Sequence, residues 1–134
     1  MPNILGNWTA DFGASLFEEG CGIEGLSRGG DTFLDGAMEI GGRVPDTLYV
    51  TFDSLTEDDR FFGLEASTGG VAFSGTLDTE DGLMHAAFGG LAYYDDHRDR
   101  VYIEGFGYIG VDLNKDGSID CALRGEWTAA KSGA

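Results

Sequence analysis

Proline, positive charge and long apolar runs are all scarce in this sequence, and each shortage excludes something. Two prolines in 134 residues are too few for a collagen-like or proline-rich disordered chain. Eight Lys and Arg stand against 24 Asp and Glu, a formal net charge of −16, which repels phosphate backbones and anionic membrane surfaces, so nucleic acid is not an expected partner. No run of about 18 apolar residues is present to cross a membrane as a helix, and membrane insertion is not expected. The opening MPNILGNWTADF has neither the basic nor the apolar region of a secretory signal. Cytoplasm is the default compartment, with signal-less export and a mature secreted form kept open. Cysteine is scarce too: Cys21 and Cys121 are either two buried thiols or one long-range bridge.

What is abundant is glycine. It contributes 23 of the 134 residues, more than twice its average share of about 7%, and without proline or a strict period it must serve turns, bulges and close packing. With 42% hydrophobic residues the chain can bury a core without disulfides, and residues 1–134 are expected to form one domain.

The apolar residues follow period two almost throughout. Ile4, Gly6, Trp8, Ala10 and Phe12 share one face of a first strand. Residues 13–31 break the pattern with repeated glycine, which predicts a long loop with one helical turn near residues 15–19. Alternation then returns in Leu34, Gly36, Met38, Ile40; in Leu48, Val50, Phe52; in Phe62, Leu64, Ala66; in Val71, Phe73, Gly75, Leu77; and in Met84, Ala86, Phe88. Turn clusters separate the runs at roughly the 8–12-residue spacing of an antiparallel meander. The strand over residues 101–111 is apolar on both faces, with Val101, Ile103, Ile109 and Val111 opposite Tyr102, Phe106 and Tyr108. Its second face is expected to be covered, by a partner or by a second copy in a homodimer through residues 101–111. A last strand places Ile119, Cys121, Leu123, Gly125 and Trp127 on one side.

Eight sequential strands without a helix predict an all-β, single eight-stranded antiparallel up-and-down barrel, because closure removes exposed edges. A two-sheet sandwich is the alternative. Gly6-Asn7-Trp8-Thr9-Ala10 and Gly125-Glu126-Trp127-Thr128-Ala129 share G-x-W-T-A, as if the first and last strands met at a seam.

The Gly6-Asn7-Trp8 motif in the first strand, the eight-strand meander and Arg124 on the last strand as a partner for the indole resemble the calycin group, the lipocalins and avidins. The glycine-rich hairpin GGVAFSGTLDTEDG is similar in style to small barrels of bacterial surface iron-uptake proteins. The calycin resemblance implies a ligand-binding barrel.

The sharpest chemical pattern lies in residues 112–120. Asp112, Asn114, Asp116, Gly117, Ser118 and Asp120 occupy positions one, three, five, six, seven and nine of a calcium loop, where oxygens converge on the ion and glycine permits the reversal. Position twelve is Leu123 instead of a bidentate glutamate, and both flanks read as strands. The expected cofactor is therefore a weakly held, structural Ca2+, with a plain turn of solvated acids as the competing reading. Gly20-Cys21-Gly22-Ile23-Glu24-Gly25 spells a dinucleotide fingerprint but lacks the surrounding βαβ unit. Asp95, Asp96, His97 and Asp99 read as a solvated turn.

Three functions stay open. The first is non-enzymatic binding of a small, mainly apolar molecule in the barrel mouth, lined by Trp8, Phe12, Tyr93, Tyr102, Phe106, Tyr108 and Trp127. The second is a cyclase or isomerase in which a tyrosine or carboxylate moves a proton. The third is a calcium-stabilised extracellular structural or adhesion module.

Overall fold

The computed structural model describes residues 3–16, 34–53, 55, 58–79 and 82–132. Eight strands follow in order: β1 (Gly6–Leu16), β2 (Gly36–Arg43), β3 (Thr47–Phe52), β4 (Phe61–Glu65), β5 (Gly70–Thr79), β6 (Gly82–Asp95), β7 (Arg100–Asp112) and β8 (Cys121–Lys131). Each pairs antiparallel with its sequence neighbour, and β8 returns to pair with β1, so the sheet is a closed up-and-down barrel. The sandwich is thereby excluded. The seam joins the two G-x-W-T-A repeats, with Ala10 opposite Ala129 and Phe12 opposite Trp127.

β1 runs on to Leu16, past the expected end of the strand, because Gly13 to Leu16 continue the ladder with β8. The helical turn expected near residues 15–19 is thus replaced by strand at Ser15 and Leu16, and the rest of the expected loop, with the dinucleotide-like motif and Cys21, lies outside the described residues. Cys121 is disulfide-bonded and fully buried at the start of β8. β8 begins at Cys121, so Ile119 belongs to the preceding loop and is 39% exposed instead of facing the core.

The interior is filled with rings. Phe88 stands at its centre, with ring centroids 5.0 Å from Trp127, 5.4 Å from Phe61, 5.5 Å from Phe73 and 5.6 Å from Phe52, mostly edge-on or tilted. Such pairs add to the burial of each ring. Inward-facing glycines provide the space: a Cβ on Gly75 would lie 2.8 Å from the Phe61 ring, and one on Gly107 3.0 Å from that of Phe12. Each indole also ties down a flanking segment. The Trp8 Nε1–H donates to the Ile4 carbonyl (2.9 Å) and the Trp127 Nε1–H to the Leu34 carbonyl (3.1 Å), which satisfies both buried donors.

One strand is turned over relative to expectation. In β4 it is Phe61, Gly63 and Glu65 that face inward, while Phe62 and Leu64 are 62% and 51% exposed. The sequence Phe61-Phe62-Gly63-Leu64-Glu65-Ala66 alternates acceptably in either phase, and the phase with Leu64 and Ala66 is the more apolar. Packing decides otherwise, because Phe61 completes the ring cluster above Gly75 and Val50 pairs with Phe61 on β3. A one-residue shift inverts every side chain of a strand. It buries Glu65, whose Oε2 finds no hydrogen-bond partner, and puts two large apolar residues outside.

Candidate functional site

The seven aromatics expected around a barrel mouth do not converge. Trp8, Phe12 and Trp127 are 1% exposed or less, packed within the interior. Tyr93, Tyr102, Phe106 and Tyr108 alternate with inward-facing residues of β6 and β7 and stand on the outer wall, Phe106 being 73% exposed. Arg124, expected beside an indole, also points outward, from β8 next to Tyr108.

Phe106, Tyr108 and Arg124 do come together with residues that periodicity did not single out. They border a groove of about 700 Å³ on the outer face of β5–β8. The cross-strand register builds it from two rows of outward positions. Ala72, Gly89 and Phe106 form one; Ala87, Tyr108 and Arg124 continue the other. Val71, Phe73 and Phe88 also line it, but their side chains are buried in the core, so the floor is the barrel wall itself. Small residues leave that wall bare, and the aromatics rise beside it. β4 extends the apolar surface, since Leu64 lies opposite Ala72 and Phe62 opposite Ser74. The signal missed in the sequence is the smallness of outward Ala72, Ala87 and Gly89 between large inward neighbours.

A second groove, of about 580 Å³, lies over β1–β3 and the connection into β4, with Asn7, Glu39, Tyr49, Thr51, Asp53 and Arg60 in its lining. There the guanidinium of Arg60 lies 4.5 Å above the Tyr49 ring, a favourable cation–π distance. Tyr49 also packs on Gly41.

Near the β6–β7 turn the Tyr93 and Tyr102 rings stack at 5.9 Å, the Tyr93 hydroxyl donates to Glu104 Oε1 (2.8 Å), and Arg98 lies over Tyr102. The hydrogen bond to Glu104, with lesser help from burial, raises the Tyr93 pKa above that of an ordinary phenol. Tyr94 is raised likewise by its hydrogen bond to Asp99. Both phenols thus stay protonated on an open wall, whereas a general base for proton transfer needs a pKa near the operating pH. Asp95 accepts backbone N–H groups from His97 and Arg98, so the acidic run there shapes a surface turn.

The calcium-like loop joins β7 to β8. Asp112 is fully buried at its base; Oδ1 accepts the Asp116 N–H (3.1 Å) and Oδ2 the Gly117 N–H (2.8 Å). Asp120 accepts from Leu113 (2.8 Å), and its own N–H bonds to the Val111 carbonyl. Lys115 and Gly117 take the positive φ values of 57° and 92° that reverse the chain. One ligand oxygen each from Asp112, Asp116 and Asp120 fall within 4.8 Å of one another, a separation that suits oxygens facing a common hard cation. Asn114 and Ser118 are exposed on the same loop. Burial opposes the charge of Asp112, but the N–H groups of Gly117, Asp116 and Lys115 outweigh it and hold the carboxyl below the usual aspartate range. From the loop, Lys115 Nζ reaches Asp78 on β5 (2.6 Å).

Compared with known protein families, curated proteins and solved structures, the chain matches none.

Proposed function

We propose that the protein is a non-enzymatic binding module that holds a small, mainly apolar molecule in the outer groove of β5–β8 instead of in the barrel mouth. The groove itself supports this reading: about 700 Å³ is within the range of ligand sites, while the interior is occupied by the chain's own rings. A fluorescence titration with a neutral naphthylamine dye tests it. Saturable binding at one site, abolished by Ala87→Trp, is expected; no binding, or binding that Ala87→Trp leaves intact, overturns it.

The loop of residues 112–120 supports a second role, a Ca2+ clamp on the β7–β8 hairpin. The convergence of Asp112, Asp116 and Asp120 is the observation behind it. Asp112, Asn114, Asp116, Asp120 and the Ser118 carbonyl would hold the ion, and its charge would relieve the repulsion among the acids. Without a twelfth-position acid such a site would belong to the weak, millimolar class of extracellular modules. A disulfide at Cys121 suits the same oxidising surroundings. Isothermal titration with Ca2+ tests it: heat at one site, absent in Asp116→Asn, is expected, and a heatless titration overturns it.

A further inference from the structure

We infer that the ligand of the outer groove is an amphiphile with a single acidic head group, such as a medium-chain fatty acid, whose carboxylate meets Arg124 and whose chain lies over Gly89, Ala87 and Ala72. The inference rests on the groove reading above and adds the chemistry of the head group.

Charge is the first argument. In a chain with 24 acids and eight Lys and Arg, the described residues that line the groove include one charged side chain, Arg124, and no Asp or Glu. That guanidinium is the lining group able to pair with an anion. Arg124 has a bonding partner within the protein, but a guanidinium carries five N–H donors in a planar fork and can still serve a carboxylate.

The second argument is direction. Phe106 borders two hollows: the acid-free groove and, on its other side, a smaller one of about 360 Å³ that holds Glu104, Glu126 and Thr128. An anionic head group is repelled from the Glu104–Glu126 side and attracted to the Tyr108–Arg124 side. Phe106 is the partition between them. The chain then runs from β8 over β7 and β6 to β5, three inter-strand steps of about 4.8 Å each, or roughly 14 Å. That is the reach of a medium-length acyl chain. A longer chain would continue onto Leu64, which lies opposite Ala72 on β4.

The test compares dansyl-undecanoic acid with its methyl ester, at neutral pH and low salt, by fluorescence titration of the intact protein. The acid is expected to bind about tenfold more tightly than the ester, the size of one charge-assisted contact on an open wall. Arg124→Gln should bring the acid down to the affinity of the ester and leave the ester unchanged, and Arg124→Lys should restore part of the difference. If acid and ester bind the unaltered protein equally, the head-group assignment falls while the groove stands. If neither binds, both fall. The comparison on unaltered protein decides even should an Arg124 variant fold poorly.

Discussion

The two outer grooves share one barrel and similar volumes, about 700 and 580 Å³, yet their walls differ in kind. Over β1–β3 the outward residues include Asn7, Thr9, Asp11, Glu39, Tyr49 and Thr51, and the aromatic among them packs on Gly41 and under Arg60. Over β4–β7 they include Phe62, Leu64, Ala72, Ala87, Leu91 and Phe106, four of them large and more than half exposed, beside polar Ser74, Thr76, His85 and Glu104. Inward positions are apolar in both halves apart from Glu65. The difference teaches that the core alone does not account for the pattern of this barrel: folding requires one apolar face per strand, and β4–β7 place large apolar residues on the other face as well. Exposed apolar surface beyond what folding uses is the feature on which the proposed binding role rests.

The comparison can be broken most sharply at β4. Phe61→Ala should cost about 3–5 kcal/mol in a denaturant melt, as expected for emptying a packed ring site, while Phe62→Ala next to it should stay within about 0.5 kcal/mol. The reverse order would move the apolar wall inside and dissolve the contrast.

Calcium should come next in size. Ca2+ at about 10 mM should stabilise the protein by about 1–3 kcal/mol over protein in EDTA, from mass action on a weak site, with no gain in Asp116→Asn. A gain that survives that substitution would place the ion elsewhere. The loop also has a signature in acid. Because the folded-state pKa of Asp112 lies below its unfolded value, its contribution is complete above the ordinary aspartate pKa of about 4. It drains away as pH falls through the lower folded value. A melting series that lost this contribution already near neutral pH would contradict the assignment.

Glu65 offers a smaller effect of opposite sign. Its buried Oε2 lacks a partner, so Glu65→Leu should raise stability by about 1–2 kcal/mol. A loss instead would show that the carboxylate is satisfied after all. The smallest effect expected is in Phe62→Ser with Leu64→Thr, which should shift stability by less than about 0.5 kcal/mol while weakening retention on a hydrophobic column. Unchanged retention would mean that the wall is not exposed in solution.

Most of the barrel was legible because a strand with one buried face writes period two into its residues, as in Trp8, Ala10, Phe12 or Val71, Phe73, Leu77, and these are indeed buried. The seam was legible from the repeated G-x-W-T-A. β4 failed where two aromatics adjoin, since alternation cannot say which of Phe61 and Phe62 is inside; only the shape of the cluster around Phe88 can. The acidic loop was legible because its spacing is local, and the three carboxylates meet within nine residues of chain. The groove was not, because Ala72, Gly89, Phe106 and Arg124 lie on four strands and become neighbours only through register.

The β1–β8 seam carries a further consequence. It lays the Ser132 N–H against the Asn7 carbonyl and the Lys131 ammonium against the Asn3 carbonyl, each at 2.7 Å. Residues 3 and 132 therefore emerge side by side from one pole of the molecule, and a short linker could join them. A circular permutant opened instead in the exposed turn at residues 96–98 should refold to the same barrel, with β7 as its first strand and β6 as its last.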